Sequence, residues 1–244
     1  MNKKKYTAIV LSAGSGSRMQ SDIPKQYLML GEYPVIYYSL KAFEESAVDS
    51  VVLVAGALDI SFCEKDIIKK YCFKKVQKVV AGASERYMSV YEGLKAATDA
   101  DYILIHDGVR PLLSMDLISR CMKNVEKEKA CIPAVPVKDT IKISDADGCV
   151  ADTPDRSSMW AAQTPQCFER KLLMTAYNNL FTAQKEQETN LSVTDDSSLV
   201  ERMAGKKVKL IGGSYHNLKI TTPEDMQLAE ILLKEHGHNP GLEH

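Results

Sequence analysis

The chain has 244 residues, of which 45% are apolar, and 31 Lys and Arg face 32 Asp and Glu. It can therefore build a sizeable core, but it lacks the global basic field that draws a protein to nucleic acid or an anionic membrane, so neither is expected as a partner. No apolar run is long enough to span a bilayer, and the stretch after Lys3-Lys4-Lys5 stops at Leu11, too short for a signal sequence; a soluble cytoplasmic protein is expected. Six cysteines show neither a Cys-x-x-Cys pair nor the cysteine–histidine spacing of a zinc site, which predicts reduced thiols.

In chain order, Tyr6 to Leu11 is short, apolar and partly β-branched, as in a buried parallel strand. It runs into Ser12-Ala-Gly-Ser-Gly-Ser-Arg-Met19 and then Pro24-Lys25-Gln26. Gly14 and Gly16 allow a close backbone approach to a ligand, and N–H groups freed there can face phosphate oxygens. Met19 stands where a dinucleotide fingerprint needs a third small residue, and no Gly-Lys-Ser/Thr follows, so neither common phosphate loop fits. The residues alone leave open an ordinary strand-to-helix turn with surface cations.

Helices are expected over Pro34 to Glu45 with proline at its start, Asp59 to Tyr71, Ser84 to Thr98 with Ser84 as N-cap, and Met115 to Glu128. Strands are expected over Ser50 to Ala55, Val76 to Ala81, Tyr102 to Ile105 and Ala130 to Val135. This alternation predicts right-handed βαβ units, with ligands gathered at the carboxyl ends of the strands, where His106-Asp107 falls.

The pattern changes at Val137. Thr140-Ile-Lys-Ile and Gly148-Cys-Val-Ala flank Asp145-Ala-Asp-Gly148, a hairpin turn, which predicts an antiparallel arm over 137–160. Such an arm needs something to pack on, either a second subunit or its own domain. Beyond it, Glu169 to Leu180 reads as a helix, Gln184 to Asn190 as a polar loop, and Thr194 as the N-cap of a helix toward Gly205. Val208 to Ile211 and Asn217 to Thr221 read as strands, and Thr222-Pro-Glu-Asp225 opens a last helix to Lys234.

The ordered set Leu11-Ser-Ala-Gly-Ser-Gly-Ser-Arg-Met19 with Pro24-Lys-Gln26, His106-Asp-Gly-Val-Arg-Pro111, Pro136-Val-Lys-Asp-Thr-Ile-Lys142, Asp155-Arg156, Gln163-Thr-Pro-Gln166, Thr194-Asp-Asp196 and Asn217-Leu-Lys-Ile-Thr-Thr-Pro-Glu-Asp225 resembles sugar-phosphate nucleotidyltransferases. Among these it resembles the 2-C-methyl-D-erythritol 4-phosphate cytidylyltransferase family, from about Tyr6 to about Leu233. Ser12, Pro154 and Gly108-Val109 depart from that pattern but leave its cations in place.

The resemblance implies an α/β fold: a Rossmann-like nucleotidyltransferase domain made of 1–136 and 161–236, its mainly parallel sheet flanked by helices, with 137–160 as a dimerisation arm and 237–244 as a tail. It implies transfer of a cytidylyl group from CTP to a polyol phosphate by a homodimer, with Mg²⁺. Arg18 and Lys25 would contact the triphosphate and stabilise the pentacoordinate phosphorus, and Arg156 and Lys219 would position the sugar phosphate. Ala13, Gly14, Gly16, Ala83 and Ser89 match nucleotide-binding positions, Arg110, Thr140 and Thr164 match substrate-side positions, and Asp107 matches a nucleotide and metal position. Read bottom-up, such a reaction needs no strong general base, because a phosphate nucleophile is already ionised; it needs cations that offset anion repulsion. Two alternatives remain at this stage: a ribitol-5-phosphate cytidylyltransferase, from which Val137-Lys-Asp-Thr-Ile-Lys142 and Thr194-Asp-Asp196 argue away, and a silent nucleotide-binding module on the same fold.

Overall fold

The computed structural model describes residues 3–14, 23–185 and 193–235. Gly16, Arg18 and Met19, residues 186–190 of the polar stretch and the tail lie outside the described residues.

The first strand, β1, is Tyr6–Ser12. A 3₁₀ turn at Lys25–Tyr27 leads to β2 (Met29–Leu30) and β3 (Tyr33–Pro34), a small antiparallel pair. Helix α1 is Val35–Glu45, beginning one residue later than expected with Pro34 as its N-cap, and β4 is Ser50–Ala55. The helix expected over 59–71 is divided: α2 (Ile60–Phe62) passes into a π-helical Cys63–Lys69. β5 (Val76–Ala81) follows. Helix α3 is Arg86–Ala96 with Glu85, not Ser84, at its N-cap. The expected Ser84 start fails because Ser89 Oγ draws the 83–85 segment in, accepting from the Ala83 N–H at 3.0 Å and donating toward the Ala83 and Glu85 carbonyls, both at 3.2 Å.

β6 extends over Tyr102–Asp107, α4 over Met115–Glu128 and β7 over Ala130–Pro136. Ser114 caps α4 by accepting from the Leu117 N–H. In the arm, pairing is limited to β8 (Ile143–Ser144) and β9 (Val150–Asp152), shorter than the expected strands. The turn between them forms as expected: the Gly148 N–H donates to the Asp145 carbonyl, and Gly148 adopts φ 79, a region L side chains avoid. After a 3₁₀ turn at Arg156–Ser158 come β10 (Trp160–Ala162), β11 (Gln166–Glu169) and α5 (Arg170–Lys185). Helix α5 thus takes in Gln184, which was expected in a loop.

Helix α6 is Asp196–Ala204. Its N-cap is Asp195 rather than Thr194, in a reciprocal capping box with Ser198, because the carboxylate accepts from the Ser198 N–H at 2.9 Å. β12 is Lys209–Gly212 and α7 is Pro223–Glu235. Asn217 to Thr221, expected as a strand, is irregular. Its backbone is held by other partners: the Arg110 guanidinium donates to the Asn217 carbonyl at 2.6 Å, and the Ile220 N–H donates to the Val109 carbonyl at 2.9 Å.

Eight strands form the main sheet in the order β10-β7-β11-β6-β1-β4-β5, with β12 on β7. The β6, β1, β4 and β5 strands are mutually parallel, β12 is parallel to β7, and β10 and β11 run antiparallel to their neighbours. Alternation along β1 feeds two cores. Ala8 and Val10 pack with α1, α4 and α7, whereas Ile9 packs with α3, α5 and α6. Both faces being covered explains why these strands read as continuous apolar runs. All six cysteines are free thiols.

Candidate active site

At the carboxyl ends of β1 and β6, beside the loop that follows β5, lies a cavity of about 450 Å³. Ser12, Ala13 and Gly14 form one wall, Ala83, Arg86 and Ser89 another, and Lys25, Gln26, Asp107 and Lys219 enter from the remaining sides. Gly82 permits this closeness, since a Cβ there would collide with that of Ala13.

Asp107 is the electrostatic centre. Its Oδ2 lies 3.0 Å from Lys219 Nζ and 3.8 Å from Arg110 Nε, and its Oδ1 lies 3.4 Å from Arg86 Nε. Burial pushes the carboxyl upward, but Arg86, Lys219 and Arg110 outweigh it and hold Asp107 well below the usual carboxylate range. Arg86 is shared: its Nη1 lies 2.9 Å from Oδ2 of Asp196, a side chain with no exposed surface. Burial raises the Asp196 carboxyl above its ordinary value, with Arg86 opposing. Gln166 supports this pair by accepting from the Asp196 and Ser197 N–H groups at 3.0 and 3.1 Å, while its own amide donates to Asp195 at 2.8 Å. The 163–166 and 194–196 motifs are therefore parts of one scaffold under Arg86.

Of the residues expected from sequence, Ala13, Gly14, Lys25, Ala83, Ser89, Asp107 and Lys219 meet at the cavity. Ala83 and Ser89 hydrogen-bond each other there. Four others do not line it. Arg110 is buried and spends its guanidinium on the Asn217 carbonyl, which steers the backbone that carries Lys219. The Thr164 hydroxyl is buried between His106 Nδ1 at 2.9 Å and the Asp107 N–H at 3.2 Å. Thr140 and Arg156 are exposed on the arm, where Arg156 donates to the Lys138 carbonyl at 3.0 Å. Arg18 and Gly16 lie outside the described residues. His106, read as structural, is fully buried, and burial lowers it to about 3, with Asp107 opposing.

Sequence reasoning did not single out Arg86, Asp196 or Gln26 individually. Arg86 carried no motif of its own, and only the buried carboxylates converging on it from distant strands and helices mark it.

Fold and cavity together define an α/β protein with Lys25, Arg86 and Lys219 gathered at the sheet's carboxyl edge, where ligands of such sheets bind. Residues 6–235 match the family model IspD, 2-C-methyl-D-erythritol 4-phosphate cytidylyltransferase. The chain is 48% identical to the 2-C-methyl-D-erythritol 4-phosphate cytidylyltransferase of Lachnoclostridium phytofermentans, covering 96% of this chain and 98% of that one. It is 47% identical to the protein of the same name from Lachnospira eligens, over 93% and 99%. Among solved structures, the 4-diphosphocytidyl-2C-methyl-D-erythritol synthase of Anaerococcus prevotii matches with TM-score 0.79 at 36% identity, over 95% of this chain and 99% of that one. The chain belongs to the 2-C-methyl-D-erythritol 4-phosphate cytidylyltransferase family.

Proposed function

We propose that the protein transfers a cytidylyl group from CTP to 2-C-methyl-D-erythritol 4-phosphate, giving 4-diphosphocytidyl-2-C-methyl-D-erythritol and pyrophosphate, a step of non-mevalonate isoprenoid precursor synthesis. The observation that carries this reading, beside family membership, is the convergence of Lys219 and Arg86 on one carboxylate at the end of β6, with Lys25 lining the same cavity.

Lys25 and Arg18 take the triphosphate and stabilise charge on the pentacoordinate phosphorus. Lys219 and Arg156 hold the sugar phosphate in line, so the chemistry rests on positioning and electrostatics. Ala13, Gly14 and Gly16 offer backbone to the phosphates, and Ala83 and Ser89 border the base. Thr140 serves the sugar phosphate from the arm. Arg110 and Thr164 act from behind, the first on the Lys219 segment and the second on Asp107.

A divalent cation fits this site in one way. Asp107 is the single carboxylate among the cavity-lining residues, and no cluster of three or more His, Cys, Asp or Glu able to hold a metal occurs among the described residues. One carboxylate suits Mg²⁺ that arrives with the nucleotide and keeps waters and phosphate oxygens as its other ligands, whose charge it would neutralise. Lys219 would then leave Asp107 for the incoming phosphates.

The arm, 137–160, is assigned to dimerisation, with 1–136 and 161–236 as the catalytic domain. Strands of two and three residues cannot stand alone in water, and Ile143, Val150 and Trp160 leave 48%, 62% and 43% of their surface exposed. Arg156 would then reach the partner's cavity. No helix among the described residues is long and apolar enough to cross a membrane, and a cytoplasmic location is assigned. Pyrophosphate release, measured with CTP and either 2-C-methyl-D-erythritol 4-phosphate or ribitol 5-phosphate, tests the reading. Turnover with the first alone supports it, and turnover with ribitol 5-phosphate alone, or with neither, overturns it.

A further inference from the structure

The 3₁₀ turn Lys25–Tyr27 sends Lys25 and Gln26 into the cavity lining and Tyr27 to the packing behind it. Lys25 Nζ donates to the Ile220 carbonyl at 2.9 Å, next to Lys219. The Tyr27 hydroxyl lies 3.2 Å from Cys63 Sγ and 3.4 Å from Asp59 Oδ2, and its ring meets Phe62 edge-on at 5.0 Å. Between them Gln26, 2% exposed, donates from Nε2 to the Ser12 carbonyl at 2.7 Å and to the Gly14 carbonyl at 3.2 Å. Both amide hydrogens are thus used on the backbone where β1 ends and the glycine loop begins.

We propose that Gln26 is a positioning residue for the nucleotide triphosphate: its carboxamide ties the start of the glycine loop to the turn that carries Lys25 and screens two carbonyl dipoles from the incoming phosphates. This rests on the cytidylyltransferase reading. The reason is geometric and electrostatic. Phosphates must meet N–H groups and Lys25 at one spacing, and two unscreened carbonyl oxygens beside that path would repel them. A carboxamide supplies two donors at one nitrogen. A methionine of similar length supplies none, and a carboxylate adds charge facing the same two oxygens.

The test compares wild type with Gln26→Met and Gln26→Glu in steady-state turnover, with thermal unfolding measured for each. For Gln26→Met, kcat/KM for CTP should fall about 10- to 100-fold, while KM for the sugar phosphate changes much less. Gln26→Glu should be worse at pH 8, and should recover toward and past Gln26→Met as pH falls to about 6, because a buried carboxyl titrates upward and, once protonated, donates to one carbonyl. Lys25, Arg86, Asp107 and Lys219 around the cavity, and Tyr27, Asp59 and Cys63 behind the turn, are common to all three proteins. Their titration, and that of the substrates, cancels in the ratio to wild type. If both variants keep the wild-type kcat/KM for CTP, or if the Gln26→Glu ratio is flat with pH, the positioning role is overturned. The same holds if activity falls only in step with the fraction folded. A wild type that releases no pyrophosphate overturns the underlying reading and this role together.

Discussion

Two regions carry the residues assigned to the sugar phosphate, and they are built in opposite ways. At the sheet edge, Lys219 sits 3.0 Å from a buried carboxylate whose other oxygen lies near Arg86, and Arg86 is in turn braced by the buried Asp196. On the arm, Arg156 and Thr140 are exposed, and the Arg156 guanidinium donates to the Lys138 carbonyl of the same arm. Charges that meet inside one chain are desolvated together, so they are strong, fixed and ready before a ligand arrives. Charges on a thin hairpin stay solvated and gain order only from whatever packs against it. On the proposed assignment, one half of the site is preassembled and the other depends on what packs against the arm.

The preassembled half is most vulnerable from beneath. Asp196→Ala leaves Arg86 beside a buried gap and should cost about 3–5 kcal/mol, read from urea unfolding. A loss comparable with that of an exposed arm charge would mean that the pair is not a scaffold. Lys25→Ala should leave the fold intact and lower kcat about 10²–10³-fold with little change in KM for the sugar phosphate. Near-normal turnover would remove Lys25 from the mechanism.

Mixing sharpens the contrast instead. If Arg156 serves a partner's cavity, Lys25→Ala and Arg156→Ala proteins, each nearly inactive, should regain about a quarter of wild-type activity after subunit exchange. About half the dimers are then mixed, and each mixed dimer has one intact site. No recovery after verified exchange would put Arg156 to work within its own subunit or not at all.

A further contrast concerns pH. His106, lowered to about 3 by burial, stays neutral in the folded chain while the unfolded chain binds a proton below about 6.5. Unfolding is therefore favoured as pH falls from about 6.5 toward 3, and His106→Gln should flatten that part of the stability profile measured by chemical denaturation. An unchanged slope would locate the acid sensitivity in other groups.

Much of the fold was legible locally. The strand at 50–55 and the helix at 115–128 coincide with their sequence boundaries, since each is specified by its own apolar pattern and, for the helix, by the Ser114 cap. The hairpin turn at 145–148 was legible because glycine answers a local backbone need. Where reading failed, a contact outside the local pattern had replaced a local rule. Residues 217–221 look like a strand, yet Arg110 and Val109 claim their backbone. Ser84 looks like a cap, yet Ser89 reorganises the turn before the helix.

The site divides along the same line. The family resemblance carried by the ordered motifs was enough to name the cations, because side-chain type is a local property. Which of those side chains share a cavity, which are spent on backbone, and which lie out on the arm depended on contacts more than 50 positions apart, such as Thr164 with His106 and Arg110 with Asn217. Arg86 shows why only the tertiary structure could decide this. Its setting comes from two carboxylates, 21 and 110 positions away, that fold onto it from opposite sides. No pattern around residue 86 encodes the low-dielectric environment in which their charges meet.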